Sequence, residues 1–444
     1  MNKFLKNTSW IVFGQIFQMI LSFFIGLLSV RYLGPTNYGS ITYISSYVSF
    51  FSSICLMGLD TVVINKLVYY QERDGEVIAS AVLLRSIVSI LCMFSLSLVV
   101  YCIDGGNKEL VIIAIISSFE LLFKSFITIT FWYQYKLMSK KVVIADLLAF
   151  LLSSLYRLYL LMTSKNIYWF ATYSSLIYLL ASLFYIPMFI KDCKSKKHAS
   201  KEMCKELVHS CIPYLISGIM ISLYTQIDRI MIKQILQTTV DVGYYSAAWT
   251  VCNLIAFIPN AISVSARPVL MQMRKEGKAN YNQRVSQVLA VIIWLAIFYS
   301  LFVTIFSKKI ILILYGQTYI TAHTVLKILV WSTLMENVGK IRDIWLIGEN
   351  RSNYVTFFST VGTILNVIIN IQFIHLWGIN GAALSTVITQ FFVMLILPMV
   401  FSSTRQFAID VINAIFLRNI QARKAFTKLI IMSNHKRIRN NIDD

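Results

Sequence analysis

The segment IYWFATYSSLIYLLASLFYIPMFI at residues 167–190 runs straight into KDCKSKKHASKEMCKE at 191–206, and this junction decides how the chain is read. The first segment holds 24 residues without a charge. At 1.5 Å per residue it exceeds the ~20 residues a helix needs to cross a hydrocarbon core. The second sets six lysines in 16 residues. Outward from this junction the same alternation recurs along nearly all 444 residues, with apolar stretches at 9–30, 40–64, 77–103, 109–133, 142–163, 167–190, 211–233, 243–266, 286–306, 324–347, 354–375 and 378–401. Of the 40 Lys and Arg, 27 fall in the N-terminal tail, every second gap and the C-terminal tail. Six lie in the other gaps or at their edge: Arg31, Lys108, Lys165, Lys308 and Lys309, with Lys233 closing the seventh stretch. By the positive-inside rule the basic gaps face the cytoplasm, so the pattern predicts an all-α integral membrane protein of twelve transmembrane helices with both termini cytoplasmic.

Composition agrees, with 57% hydrophobic and 14% charged residues, far from soluble averages. The net charge of +20 sits in short loops and a tail, where it reads as topology and contact with anionic membrane lipids; no nucleic acid partner is implied. The first apolar stretch is long and lacks a small-x-small cleavage site, so it is expected to stay in the membrane. Seven cysteines, most of them within spans, imply no disulfide framework. His198, His209, His323, His375 and His435 are scattered without ligand spacing, and phosphate-loop and dinucleotide fingerprints are absent. No metal, cofactor or catalytic constellation is expected, and any work of transport must draw on a gradient or on the substrate.

The basic stretch around 191–210 divides the predicted helices six and six: an N-terminal bundle over 1–190, a linker over 191–210, and a C-terminal bundle over 211–401, the bundles surrounding a central cavity. A basic tail over 402–444 is expected to lie partly as an amphipathic helix on the inner membrane surface. Gly34-Pro35-Thr36-Asn37-Tyr38-Gly39 after the first stretch and Thr239-Val240-Asp241-Val242-Gly243-Tyr244 after the seventh look like an internal repeat. Such repeats are common in secondary transporters, although outer turns favour Gly and Tyr on their own. Pro187, Pro213, Pro259 and Pro398 fall within apolar stretches as candidate kinks.

Thirteen Asp, Glu, Lys and Arg lie inside the stretches, apart from Glu109 and Lys233 on their end positions. Each is costly in a bilayer core and should face a bundle interior or an aqueous cavity. Glu120 with Lys124, and Glu336 with Lys340, are spaced i,i+4 with the acid first, the better order for a same-helix pair. Asp146 and Arg157 are three turns apart and cannot pair; Asp228 and Arg229 diverge around the helix and need separate partners. Two readings follow, structural pairing or a hydrated cavity with surplus cations for an anionic substrate. The second is the reading for Arg85 and Arg157, which have no same-helix acid at i±4; Lys124, Arg229, Lys327, Lys340 and Arg31 complete the candidate set. Asp60, Asp146 and Asp228 have no base at i+3 or i+4 and are the candidate coupling acids.

Three segments, in order, resemble one family. They are Trp10-Ile-Val-Phe-Gly14-Gln15 leading to Arg31-Tyr32-Leu33-Gly34-Pro35 and Tyr38-Gly39; Asp228-Arg229 with Val242-Gly243-Tyr244-Tyr245, Leu314-Tyr315-Gly316 and Tyr319; and Leu365-Asn366, Asn370, Gly378, Gly381-Ala-Ala-Leu384 and Thr386. The resemblance is to the Wzx-type polysaccharide flippases of the multidrug/oligosaccharidyl-lipid/polysaccharide exporter superfamily. It implies translocation by alternating access, not enzymatic chemistry. The implied substrate is an undecaprenyl-diphosphate-linked oligosaccharide, the repeat unit of O-antigen or a similar surface polysaccharide. The implied site is the bacterial cytoplasmic membrane, with other polysaccharide-assembly membrane proteins as partners. Gly39 and Ser40 stand where the related lipid II flippases carry an acid, and those usually have fourteen spans. A cation-coupled drug antiporter and a membrane glycan polymerase or ligase are the alternatives.

Overall fold

The computed structural model describes residues 2–276 and 278–416, and every element among them is helical. Eight helices come first: α1 Asn2–Leu56, α2 Leu59–Tyr69, α3 Asp74–Ile103, α4 Lys108–Lys124, α5 Thr128–Tyr135, α6 Ser139–Met162, α7 Ile167–Asp192 and α8 Lys201–Leu236. Eight more follow: α9 Thr239–Cys252, α10 Phe257–Glu276, α11 Lys278–Tyr315, α12 Ala322–Leu329, α13 Ser332–Gly348, α14 Asn353–Phe391, α15 Leu397–Val400 and α16 Arg405–Ile415. The basic tail enters the structure as α16; its remainder from residue 417 lies outside the described residues.

The two longest helices are broken at glycines. Straight, α1 would run about 80 Å, far beyond a bilayer. Gly34 interrupts it at φ 68° and ψ 172°, with Pro35 next, a backbone that glycine adopts without the Cβ penalty. In α14 the break is Gly378, at φ 57° and ψ −137°. Beyond it the chain turns back, for Asn366 Nδ2 donates to Ser385 Oγ at 3.5 Å across the break. A Cβ on Gly381 would lie 1.8 Å from the Phe373 carbonyl oxygen, so this return is possible only with a glycine there.

Among the described residues eight helical segments are long and apolar enough to cross a membrane, or nine if the bent pair Thr239–Ile255 and Phe257–Arg274 counts as one. The helices therefore do not by themselves return the count of twelve. Two segments, Phe17–Tyr69 and Asn353–Val400, each contain two of the apolar stretches joined across a glycine break. The stretch 324–347 is divided between α12 and α13, each shorter than a full span and charged at Lys327, Glu336, Lys340, Arg342 and Asp343.

Contacts separate the chain into two compact units, Met1–Lys233 with Thr238–Gly243, and Gln234–Gln237 with Tyr244–Asp444. α8 belongs almost wholly to the first unit, although it follows the basic linker. Ser222 Oγ donates to the Ser49 carbonyl at 3.3 Å, and Gly58 approaches Tyr214 so closely that a Cβ would lie 2.2 Å from its side chain. The inner core of this unit joins Leu59, Val63, Trp132, Tyr133, Tyr185, Phe189 and Leu207. The second unit packs α10, α11, α13 and α16 around Leu289, Ile293, Val338, Ile341, Trp345, Phe358 and Phe407.

Within the first unit the polar gaps sort to two ends. At one, Tyr32 Oη donates to the Lys165 carbonyl at 3.1 Å and Lys233 pairs with Asp104 at 3.5 Å. At the other, Lys66 pairs with Glu206, Lys136 with Asp74 at 3.1 Å and Lys141 with Asp192 at 2.6 Å. These are the two sets of gaps that the charge alternation assigns to opposite faces, called here the outer and inner ends after the sides that pattern predicts.

Candidate functional site: buried charge within the helices

Arg85 on α3 is the most deeply placed candidate cation of the first unit, 3% exposed. Its Nη1 donates to Thr128 Oγ1 at 3.3 Å, while its buried Nε meets no hydrogen-bond partner among the described residues. Lys124 on α4 donates to Glu120 Oε1 at 3.0 Å and sits 4.9 Å from the centre of the Tyr178 ring. It lies near enough to Arg85 for their charges to repel. Asp60, in the first turn of α2, is exposed and within electrostatic reach of Arg85. Arg85, Lys124 and Asp60 are therefore brought together from three helices, a grouping that same-helix spacing could not reveal.

Arg157 on α6 packs its guanidinium 4.5 Å from the Tyr173 ring centre, and its Nε too is buried without a hydrogen-bond partner among the described residues. Asp146, on the same helix, does not pair with it. Tyr185 Oη on α7 donates instead to Asp146, whose side chain lines a 260 Å³ cavity with Gln18, Thr130, Gln134 and Ser139. Asp228 on α8 is buried at 7% exposure, while neighbouring Arg229 donates to Gln226 Oε1 at 2.8 Å. Arg31 is exposed beside the Gly34 break.

In the second unit Lys340 donates to Asn337 Oδ1 at 2.9 Å and faces Glu336 at 3.8 Å, so both i,i+4 pairs expected from the spacing form. Lys327 on α12 is exposed. Arg342, 3% exposed, bonds its sequence neighbour Asp343 at 2.8 Å by curling back around the helix. It also rests 5.2 Å from the Phe358 ring centre and points Nη1 at the Val393 carbonyl, 3.5 Å away. That carbonyl lies in a π-helical turn, Phe392–Ile396, a form often found at functional positions. Asn366 and Asn370 are buried and bonded to each other at 3.0 Å.

Sequence spacing missed another group. Asp104, read as a residue of an outer gap, is buried with Lys233, Tyr43 and Tyr47. Asp74 and Glu76, read as part of an inner gap, are buried under the linker, where Asp74 accepts from Trp132 Nε1 at 2.9 Å and from Ser195 Oγ. Glu76 takes both a bidentate Arg73 and Ser200 Oγ. The available signal was an acid directly at the edge of an apolar stretch.

The fold recurs in solved structures of two transporters. A lipid II flippase MurJ in an inward closed conformation superposes with a TM-score of 0.67 at 14% identity, over 97% of this chain and 99% of that one. An inward-facing MATE-family multidrug transporter of the MOP superfamily gives 0.63 at 14% identity, over 90% and 95%. This chain shares the fold of those two proteins. The family model described as polysaccharide biosynthesis protein matches residues 4–274, and a MatE model matches 213–372. The chain belongs to the polysaccharide biosynthesis protein family. Among curated relatives, a probable flippase AglR of Haloferax volcanii is 27% identical over 170 residues, and a probable low-salt glycan biosynthesis flippase Agl15 of the same organism 26% over 172. Each alignment covers 37% of this chain and 35% of the relative.

Proposed function

We propose that this protein is a flippase that moves a lipid-linked oligosaccharide from the inner to the outer leaflet by alternating access. Its substrate in this reading is an undecaprenyl-diphosphate-linked repeat unit of O-antigen or a similar surface polysaccharide. The setting is a bacterial cytoplasmic membrane with both termini inside, and we take 1–190 and 211–401 as the two repeat halves. One observation carries the reading: Arg85 and Arg157 are guanidiniums held within apolar helices with Nε donors unspent. A cation placed so is expensive unless it is used, and a diphosphate is the group it would serve. Polysaccharide family membership supports the glycan.

Among the three candidate coupling acids, Asp146 is favoured because it lines a cavity and has a phenol to steady it. A carboxylate in such a place exchanges a proton or cation as its exposure changes.

Transport of lipid-linked glycan into the outer leaflet of reconstituted vesicles tests the proposal. Arg85→Ala and Arg157→Ala should each abolish transport at normal protein levels, and Arg→Lys should restore part of it, because charge matters more than fork geometry for a mobile diphosphate. Asp146→Asn should bind the glycan yet lose dependence on an imposed ion gradient. Full transport by both alanine variants refutes the anion-site reading. The MatE match at 213–372 favours a second reading, a cation-coupled drug antiporter; export of organic cations by the wild type, without glycan transport, would establish it.

A further inference from the structure

We propose that Asp104, Lys233 and Tyr43 form an outer latch, a releasable tie that closes the outer ends of α1, α3 and α8 upon one another. The inference rests on the transport reading above, since a latch matters only in a protein that opens. Asp104 follows α3 at the start of a short Asp-Gly-Gly turn, and its side chain is 2% exposed. Lys233, near the end of α8, is 12% exposed and places Nζ 3.5 Å from Asp104 Oδ1. Tyr43, on the part of α1 beyond Gly34, is fully buried and donates to the same carboxylate at 3.0 Å. Tyr47 Oη lies 3.1 Å from Tyr43 Oη. A single carboxylate thus joins three helices that are far apart in sequence.

A second, independent contact closes the same end. A Cβ on Gly39 would lie 1.7 Å from the Thr239 carbonyl oxygen, and one on Gly243 would lie 2.1 Å from the Pro35 carbonyl oxygen. The two turns that resemble each other in sequence therefore meet backbone to backbone, each glycine received by the other turn. At these two glycines the contact is backbone against backbone, with no side chain between them.

The chemistry of the tie suits release. Burying a charge pair forfeits hydration that only complete geometry repays. Once the helices separate, water returns to both charges and the open state is stabilised. An apolar contact would gain nothing on opening. A buried pair beside a bare-backbone seam is therefore a two-position contact, closed when dry and open when wet.

Amide hydrogen exchange in lipid nanodiscs reads the latch directly. Lys233→Met and Asp104→Asn should each raise exchange across residues 35–47 and 233–243 by about a hundredfold or more, since local opening governs protection, and leave 70–80 and 195–210 as in the wild type. Tyr43→Phe, which keeps the ring and removes one donor, should produce a smaller rise in the same segments and serves if the charge variants misfold. Exchanging the charges, Asp104→Lys with Lys233→Asp, should return protection toward the wild type. Unchanged exchange in all three single variants, or a charge exchange that protects no better than the singles, overturns the latch. Glycan transport by the wild type, measured in the same preparation, tests the functional reading separately, and its absence would overturn that reading while leaving the exchange result intact.

Discussion

α8 is tied to the first unit at both ends, and the two ties differ in kind. At the outer end the partners Lys233 and Asp104 are 12% and 2% exposed; at the inner end Lys66 and Glu206 are 20% and 37% exposed. Burial sets the consequence. An exposed ion pair contributes roughly 0–1 kcal/mol, whereas removing one partner of a buried pair costs about 3–5 kcal/mol because it strands the other charge. The inner end is held instead by many polar contacts to the linker. Ser195 Oγ accepts from the Gly75 amide at 2.8 Å, the Ser200 amide donates to Ser80 Oγ at 3.2 Å, and Tyr70 Oη donates to Glu206 at 3.2 Å. The outer end joins a buried charge pair to a glycine seam and the inner end is a distributed set of more exposed polar contacts, so removing one charge should loosen the outer end more than the inner.

The largest expected effect is a difference between two lysines. Lys233→Met should lower unfolding stability in nanodiscs by about 3–5 kcal/mol, and Lys66→Met by no more than about 1 kcal/mol. Equal losses would break the comparison.

The glycine seam comes next. Gly39→Ala or Gly243→Ala must displace a backbone carbonyl and should cost about 1–3 kcal/mol. Gly26 has a helical backbone and nothing within 4 Å of where a Cβ would stand, so it is the control. Gly26→Ala should be neutral or stabilise by up to about 1 kcal/mol. A neutral Gly243→Ala would show that the two turns can separate at no cost.

The smallest effect sharpens the comparison at the inner end. The hydrogen bond from Lys66, with its charge, holds the Glu206 carboxyl below the usual range. Its contribution is therefore fully present above the carboxyl's unfolded-state pKa and is lost as pH falls through the lowered folded value. The stability gap between wild type and Lys66→Met should shrink on acidification through that window. It should shrink also in molar salt, where the screening length falls to about 3 Å. A gap that is indifferent to both would mean the inner pair is drier than its exposure indicates.

Much of this protein was legible in its sequence because a bilayer imposes a one-dimensional code. Apolar length and the distribution of Lys and Arg indicate helices and sides without knowledge of any contact, and the polar gaps of the first unit do sort to two ends. Helical spacing likewise anticipated Glu120 with Lys124 and Glu336 with Lys340, since i,i+4 neighbours share a face in any α-helix. Gly34, Gly39, Gly378 and Gly381 stood out as motif residues, and their roles are backbone roles that glycine alone can fill.

Only the tertiary structure decided which charges are gap charges and which are buried. Asp104 and Lys233 stand at the edges of two apolar stretches, 129 positions apart, and no period along the chain connects them. The linker at 191–206 has the composition of a solvated loop, yet its Ser195 and Ser200 dock on the buried acids Asp74 and Glu76. Arg85 meets Thr128 and the field of Asp60 across helices, and Asp146 finds its phenol on α7. The physical reason is the same in each case. Hydropathy is a property of single residues and survives projection onto the sequence, whereas desolvation of a charge depends on what folds over it.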